Sequence, residues 1–148
     1  MAGITGKIDR ALSVNSTMKE GWIIDSGETC HMTHNLHRLH SVCNFPDHLN
    51  RSVHLPNGET VSVTHSGSYK TLGGDLLKNV LVVPTFKFDL LSVSQLTKQL
   101  HCSVNFFPEF VVFHDLSNGK VKGIGKEVDG LYYLSSKKNY MEKIRIMR

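Results

Sequence analysis

The chain has 148 residues, 40% of them hydrophobic and 20% charged, with 17 Lys and Arg against 13 Asp and Glu for a net charge of +4. That length accommodates one domain with a modest core and excludes a two-lobed protein carrying both halves of a composite site. No window approaches the ~18 consecutive apolar residues of a membrane helix, and Met1-Ala2-Gly3-Ile4-Thr5-Gly6-Lys7 lacks the apolar centre of a secretory signal, so a cytoplasmic protein with no membrane partner is expected.

Residues 1–20 are polar and aperiodic and read as a linker or a loosely held first strand. Ordered structure is expected from Gly21, where the apolar run Trp22-Ile23-Ile24 reads as a buried strand ending at Asp25-Ser26-Gly27. The polar, His-rich stretch from His31 to Arg51 reads as a long surface loop with one helical turn. Val53-His54-Leu55 and Thr60-Val61-Ser62-Val63 alternate around Pro56-Asn57-Gly58-Glu59, and Asn-Gly between alternating runs signals a hairpin. Val80-Leu81-Val82-Val83-Pro84 lacks alternation and reads as a strand covered on both faces. From Leu90 to Leu100 the spacing puts Val93, Leu96 and Leu100 on one side of a helix with Ser92 as its N-cap. Strands resume at Cys102-Ser103-Val104-Asn105-Phe106-Phe107, Phe110-Val111-Val112-Phe113-His114, Val121-Lys122-Gly123-Ile124 and Leu131-Tyr132-Tyr133-Leu134, with turns at Asn118-Gly119 and Asp129-Gly130. The sum is a mainly β chain, a small closed β-barrel with one short α-helix.

The chemistry concentrates at Asp25. Hydrolysis by carboxylates needs two of them a few ångströms apart sharing one proton, one acting as base on a water while the other donates to the peptide carbonyl. Of the other aspartates, Asp9, Asp47, Asp75, Asp89, Asp115 and Asp129, none is followed by Ser-Gly or Thr-Gly. Two chains must therefore build such a site, and a homodimer is expected.

Several motifs in order make a family resemblance specific: Trp22-Ile23-Ile24-Asp25-Ser26-Gly27 followed by His31-Met32-Thr33, then Leu55-Pro56-Asn57-Gly58, Val80-Leu81-Val82-Val83-Pro84 and Phe88-Asp89-Leu90-Leu91-Ser92-Val93-Ser94-Gln95-Leu96. Cys102-Ser103-Val104-Asn105-Phe106 and Gly125-Lys126-Glu127-Val128-Asp129-Gly130-Leu131-Tyr132-Tyr133-Leu134 continue the match. Over residues 21–134 the chain resembles the aspartic protease region of copia-type long-terminal-repeat retrotransposon Gag-Pol polyproteins. The resemblance implies a retropepsin-like β-barrel that works as a homodimer on a polypeptide substrate, its own polyprotein, without a cofactor. It makes Asp25 the catalytic residue and gives Ser26 a bracing hydroxyl across the dimer axis. Gly27 becomes the tight turn beneath the substrate, and Pro56, Asn57, Gly58 and Glu59 become the flap. Leu90-Leu91-Ser92 would pack behind the active-site loop, and residues 135–148 would begin a truncated pre-integrase segment. Glu28 and Cys30 depart from the small and polar residues of the family. With Thr29 they are candidates for the substrate groove, where Glu28 would select a basic side chain. Alternatively Glu28 marks a decayed site, leaving a non-catalytic β-barrel for interaction or self-association, because four carboxylates in a dimer repel one another.

His31, His34, His37 and His40 recur every three residues between Cys30 and Cys43, but one short run rarely converges tetrahedrally and no metal site is expected. The three cysteines, Cys30, Cys43 and Cys102, are read as free thiols, Cys102 as a small core residue. His65-Ser66-Gly67 echoes the active-site tripeptide by chance. The basic tail offers only a weak nucleic-acid contact through charge.

Overall fold

The computed structural model describes residues 21–46, 51–55, 57–71 and 73–135, so the expectations for residues 1–20, for Pro56 and for the tail from 136 fall outside the described residues. In chain order the elements are β1 (Trp22–Asp25), β2 (Met32–Thr33), a 3-10 turn (Leu36–Arg38), β3 (His40–Asn44), β4 (Ser52–His54), β5 (Thr60–Ser62), β6 (His65–Lys70), β7 (Leu76–Val82), β8 (Asp89–Ser92), α1 (Val93–Leu100), β9 (Cys102–Phe106), β10 (Phe110–Asp115), β11 (Val121–Val128) and β12 (Leu131–Leu134). The described residues are mainly β with one short α-helix, as the alternating runs require.

One large sheet runs in the order β3-β6-β7-β2-β8-β1-β12-β11-β10-β9, and β4-β5 stand apart as a hairpin. A closed barrel was the expectation from the sequence, yet among the described residues no ladder joins β3 to β9, and the hydrogen-bonded order is open. The physical reason is visible in β3. It is exposed along its length, and its register with β6 shifts between His40 and Cys43, with Ser41 in a left-handed conformation at φ 51°. A bulge of that kind ends pairing at an edge.

β1 is central and pairs with β12 on one side and, in parallel, with β8 on the other. Because strand side chains alternate, Trp22 and Ile24 enter one apolar cluster with Leu77, Val80, Leu91 and Leu96, while Ile23 enters a second with Met32, Val83, Leu90 and Tyr133. Burial on both faces is what an unbroken apolar run predicts for a central strand. Burying each such side chain contributes about 1.5–3 kcal/mol, which fixes β1 firmly within the sheet.

The hairpins follow their turn chemistry. Asp129 and Gly130 lie at φ 52° and 85° between β11 and β12, two successive left-handed residues that suit Asp-Gly. Four strands escaped the sequence reading: β2, β3, β6 and β8, the last of which covers residues read with the helix. The stretch from His31 holds β2 and β3 as well as the anticipated helical turn. β2 is two residues long, too short for a period, and is held by Leu81 N–H donating to the His31 carbonyl at 2.9 Å and Val83 N–H donating to that of Thr33 at 2.8 Å. β6 contains His65-Ser66-Gly67, where a Cβ on Gly67 would come within 3.0 Å of both the His40 carbonyl and Leu39 Cβ. The glycine that reads as a breaker is demanded by a neighbouring backbone.

Candidate active site

Asp25 is the last residue of β1 and is set opposite Ser92, the last residue of β8, in a register that also pairs Trp22 with Asp89, Ile23 with Leu90 and Ile24 with Leu91. Its side chain shares a face with Ile23 and is buried. Gly27 N–H donates to Asp25 Oδ1 at 2.9 Å, while Oδ2 is buried with no hydrogen-bond partner among the described residues. Burial raises the carboxyl pKa above its ordinary value and the Gly27 amide pulls it partly back. A carboxylate with one oxygen fixed and the other unmatched is chemically unfinished, because a buried charge requires a donor.

The loop after Asp25 turns outward. Ser26, Gly27 and Thr29 are exposed, Glu28 and Cys30 half-buried. Burial and then the Asp25 charge raise the Glu28 pKa, so the two acids act on one another. His31 reverses the direction and is fully buried, its Nδ1 accepting from Ser92 N–H at 2.9 Å. The Ser92 hydroxyl donates to the Glu28 carbonyl at 2.7 Å while it accepts from Gln95 N–H at 3.2 Å as the N-cap of α1. One buried serine therefore ties the Asp25 loop to the start of the helix. The sequence named Ser92 as a cap and a packing residue but missed this tether, whose only trace in sequence is a hydroxyl at a position that packs behind a loop.

The hairpin anticipated around Asn57, Gly58 and Glu59 is present. Val53 faces Val61 across β4-β5, Leu55 N–H donates to the Glu59 carbonyl at 2.8 Å, and Gly58 lies at φ 89°. Val53 and Val61 pack on the cluster that contains Ile23, which puts the base of the hairpin on the same face of the sheet as Asp25. Its tip residues are exposed. A cavity of about 170 Å³ between Leu77, Leu91, Leu96, Phe113 and Lys122 takes no lining residue from the Asp25 loop or the hairpin.

His34, His37 and His40 face outward while His31 faces inward, and among the described residues no three His, Cys, Asp or Glu side chains gather as a metal site. Cys30, Cys43 and Cys102 are free, and burial pushes the Cys102 thiol up to about 11, so it stays protonated as a core residue at neutral pH. His65-Ser66-Gly67 forms the first half of β6 rather than a strand-ending turn. The sequence also missed the role of Asp89. This buried carboxylate accepts from Thr33 Oγ1 and from Arg38, with His34 Nδ1 at 3.3 Å, and Arg38 lies 5.0 Å over the Trp22 ring. Through Asp89, the residues Thr33, His34 and Arg38 tie β2 and the 3-10 turn to β8.

No helix among the described residues is long and apolar enough to cross a membrane. A family model described as "Pol polyprotein, beta-barrel domain" matches residues 22–101. The chain is similar to the Retrovirus-related Pol polyprotein from transposon RE2 of Arabidopsis thaliana, 35% identical over 127 residues, 82% of this chain and 8% of that protein. It is also similar to the corresponding polyprotein from transposon RE1 of the same plant, 34% identical over 116 residues, 75% of this chain and 8% of that protein. The chain thus spans about a twelfth of the length of the curated relatives it matches, and no solved structure matches it. On these matches the chain belongs to the Pol polyprotein β-barrel domain family of copia-type retrotransposons.

Proposed function

We propose that this domain is a retropepsin-like aspartic endopeptidase that acts as a homodimer on polypeptide, with its own polyprotein as substrate. The observation that carries the reading is the Asp25 carboxylate, held at Oδ1 by Gly27 and buried without a partner at Oδ2. With the loop turned so that the carboxylate, now covered by its own chain, faces a symmetry-related copy, a second Asp25 would share one proton with it, and the raised pKa of the lone acid already favours holding that proton. The protonated member then donates to the scissile carbonyl while the ionised member takes a proton from water.

Around this pair, Ser26 and Gly27 form the active-site turn, and the β4-β5 hairpin with Asn57, Gly58 and Glu59 closes over the peptide, expelling water. Glu28, Thr29 and Cys30 line the groove, and Glu28 favours substrates with a basic side chain near the scissile bond. The test is peptide cleavage by the purified protein at several concentrations. Activity per chain should rise with concentration, as for any site completed by association, and should vanish with Asp25→Asn. Cleavage that survives in Asp25→Asn removes the reading.

A further inference from the structure

Asp25 lies at the end of a rigid strand, but the loop beyond it is held by few bonds, and two of them converge on Ser92. The Ser92 hydroxyl holds the Glu28 carbonyl, and its backbone N–H is received by His31 Nδ1 at 2.9 Å. An imidazole nitrogen that accepts a hydrogen bond carries no proton, which fixes His31 as the neutral tautomer with its hydrogen on Nε2. That Nε2 is buried and makes no hydrogen bond of ordinary geometry among the described residues, although the Gln99 side chain lies near enough to the ring to act on its pKa. An aliphatic side chain would fill the same space without stranding a donor, so packing alone does not explain a histidine here. An acceptor at the Nδ1 position does.

We propose that His31 is a positioning residue for Asp25: its neutral ring, receiving the Ser92 amide at Nδ1, locks the loop from Asp25 to His31 against the junction of β8 and α1 and so fixes where the Asp25 carboxylate points. The catalytic consequence rests on the proteolytic reading above, whereas the locking rests on geometry alone. Protonation of the ring would place a hydrogen where Ser92 N–H donates and would break the lock. Burial opposes this and lowers the His31 pKa to about 4, the Gln99 side chain acting weakly the other way. Of the charged groups on its own loop and on the strands beside it, Asp25, Glu28, Asp89 and Lys78, none is a cause of the shift, and Gln99 is itself held by Lys78 N–H donating to its Oε1 at 2.8 Å.

Two substitutions separate the roles of the ring nitrogens. His31→Asn keeps an acceptor near the Nδ1 position and cannot titrate, whereas His31→Gln reaches toward Nε2 and leaves Ser92 N–H without its acceptor. Nitrogen NMR of the unmodified protein should show Nδ1 unprotonated and Nε2 protonated at pH 7, with a shift of the Ser92 amide that titrates near pH 4. Exchange of the Ser92 amide with solvent should stay slow in His31→Asn and accelerate at least ~10-fold in His31→Gln. Cleavage should follow the same split, with kcat near normal in His31→Asn and at least ~10-fold lower in His31→Gln at similar KM. A proton on Nδ1 of the native protein overturns the proposal whether or not the variants fold, and equal Ser92 exchange in variants that fold overturns it as well. If the unmodified protein cleaves nothing while the NMR results hold, proteolysis fails and the lock stands.

Discussion

Ser92→Ala removes one oxygen and tests how much of the site rests on it. That oxygen is buried, donates to the Glu28 carbonyl at 2.7 Å, accepts from Gln95 N–H at 3.2 Å and lies 3.1 Å from Ser94 Oγ. Loss of an N-cap serine costs about 1 kcal/mol of helix stability, and loss of the bond to a half-buried carbonyl about another 1 kcal/mol. The expected total is about 2 kcal/mol, which for a domain of this size lowers Tm by roughly 6–10 °C. Urea denaturation with an unchanged m value should report it. Ser92→Gly is the informative companion, because glycine is itself a tolerable cap and loses only a few tenths of a kcal/mol there, so its deficit isolates the tether to Glu28 together with the cost of a flexible residue in a strand. A Ser92→Ala loss below about 0.5 kcal/mol would mean that water replaces both bonds and that the loop is not anchored as described.

Other expectations concern the core and the ionised groups. Between pH 6.5 and about 4 the unfolded chain binds a proton at His31 that the folded chain refuses. Its contribution is therefore complete above pH 6.5 and falls on acidification, by about 3 kcal/mol across that window, and stability measured at pH 7, 5 and 4 should fall less steeply in His31→Asn. An identical slope in that variant refutes the assignment. Asp25 and Glu28 carry the opposite sign, since their raised pKa values favour proton uptake by the folded chain at low pH. Gly125→Ala would set a Cβ 2.6 Å from Val111 Cγ1 and 2.8 Å from both Ile24 Cδ1 and the Tyr133 carbonyl, and should destabilise by about 2–3 kcal/mol or abolish soluble expression. A shift below 0.5 kcal/mol would show that β10 and β12 can spread. Asp89→Asn keeps the shape but not the charge that Arg38 and Thr33 engage, and a loss of about 2 kcal/mol by chemical denaturation is expected, little affected by salt because the carboxylate is buried. A loss that disappears in high salt would place the pair in solvent instead.

The local rules of the chain were legible because they depend on neighbours in sequence. The turns at Gly58, Gly119 and Gly130 follow from residues that accept positive φ, and the helix from Val93 follows from Ser92 as cap with Val93, Leu96 and Leu100 on one side. Asp25 stood out because a single acid ends a wholly apolar run. What escaped were elements whose stability comes from distant partners. β2 is a strand only because β7 and β8 flank it, and β6 accepts Gly67 only because Leu39 and His40 press against it.

The sequence by itself thus determined a mainly β domain, the hairpins and the helix of the described residues, and the lone acid that ends its first strand. Tertiary structure alone decided that the hydrogen-bonded sheet is open, that His31 parts from the exposed His34, His37 and His40 to meet Ser92 across 61 positions, and that Asp89 becomes an anchor for Arg38. The reason is physical. Turn and helix preferences are energies of adjacent residues, whereas burial, and with it the protonation of Asp25 and His31, is set by whatever the rest of the chain packs around them.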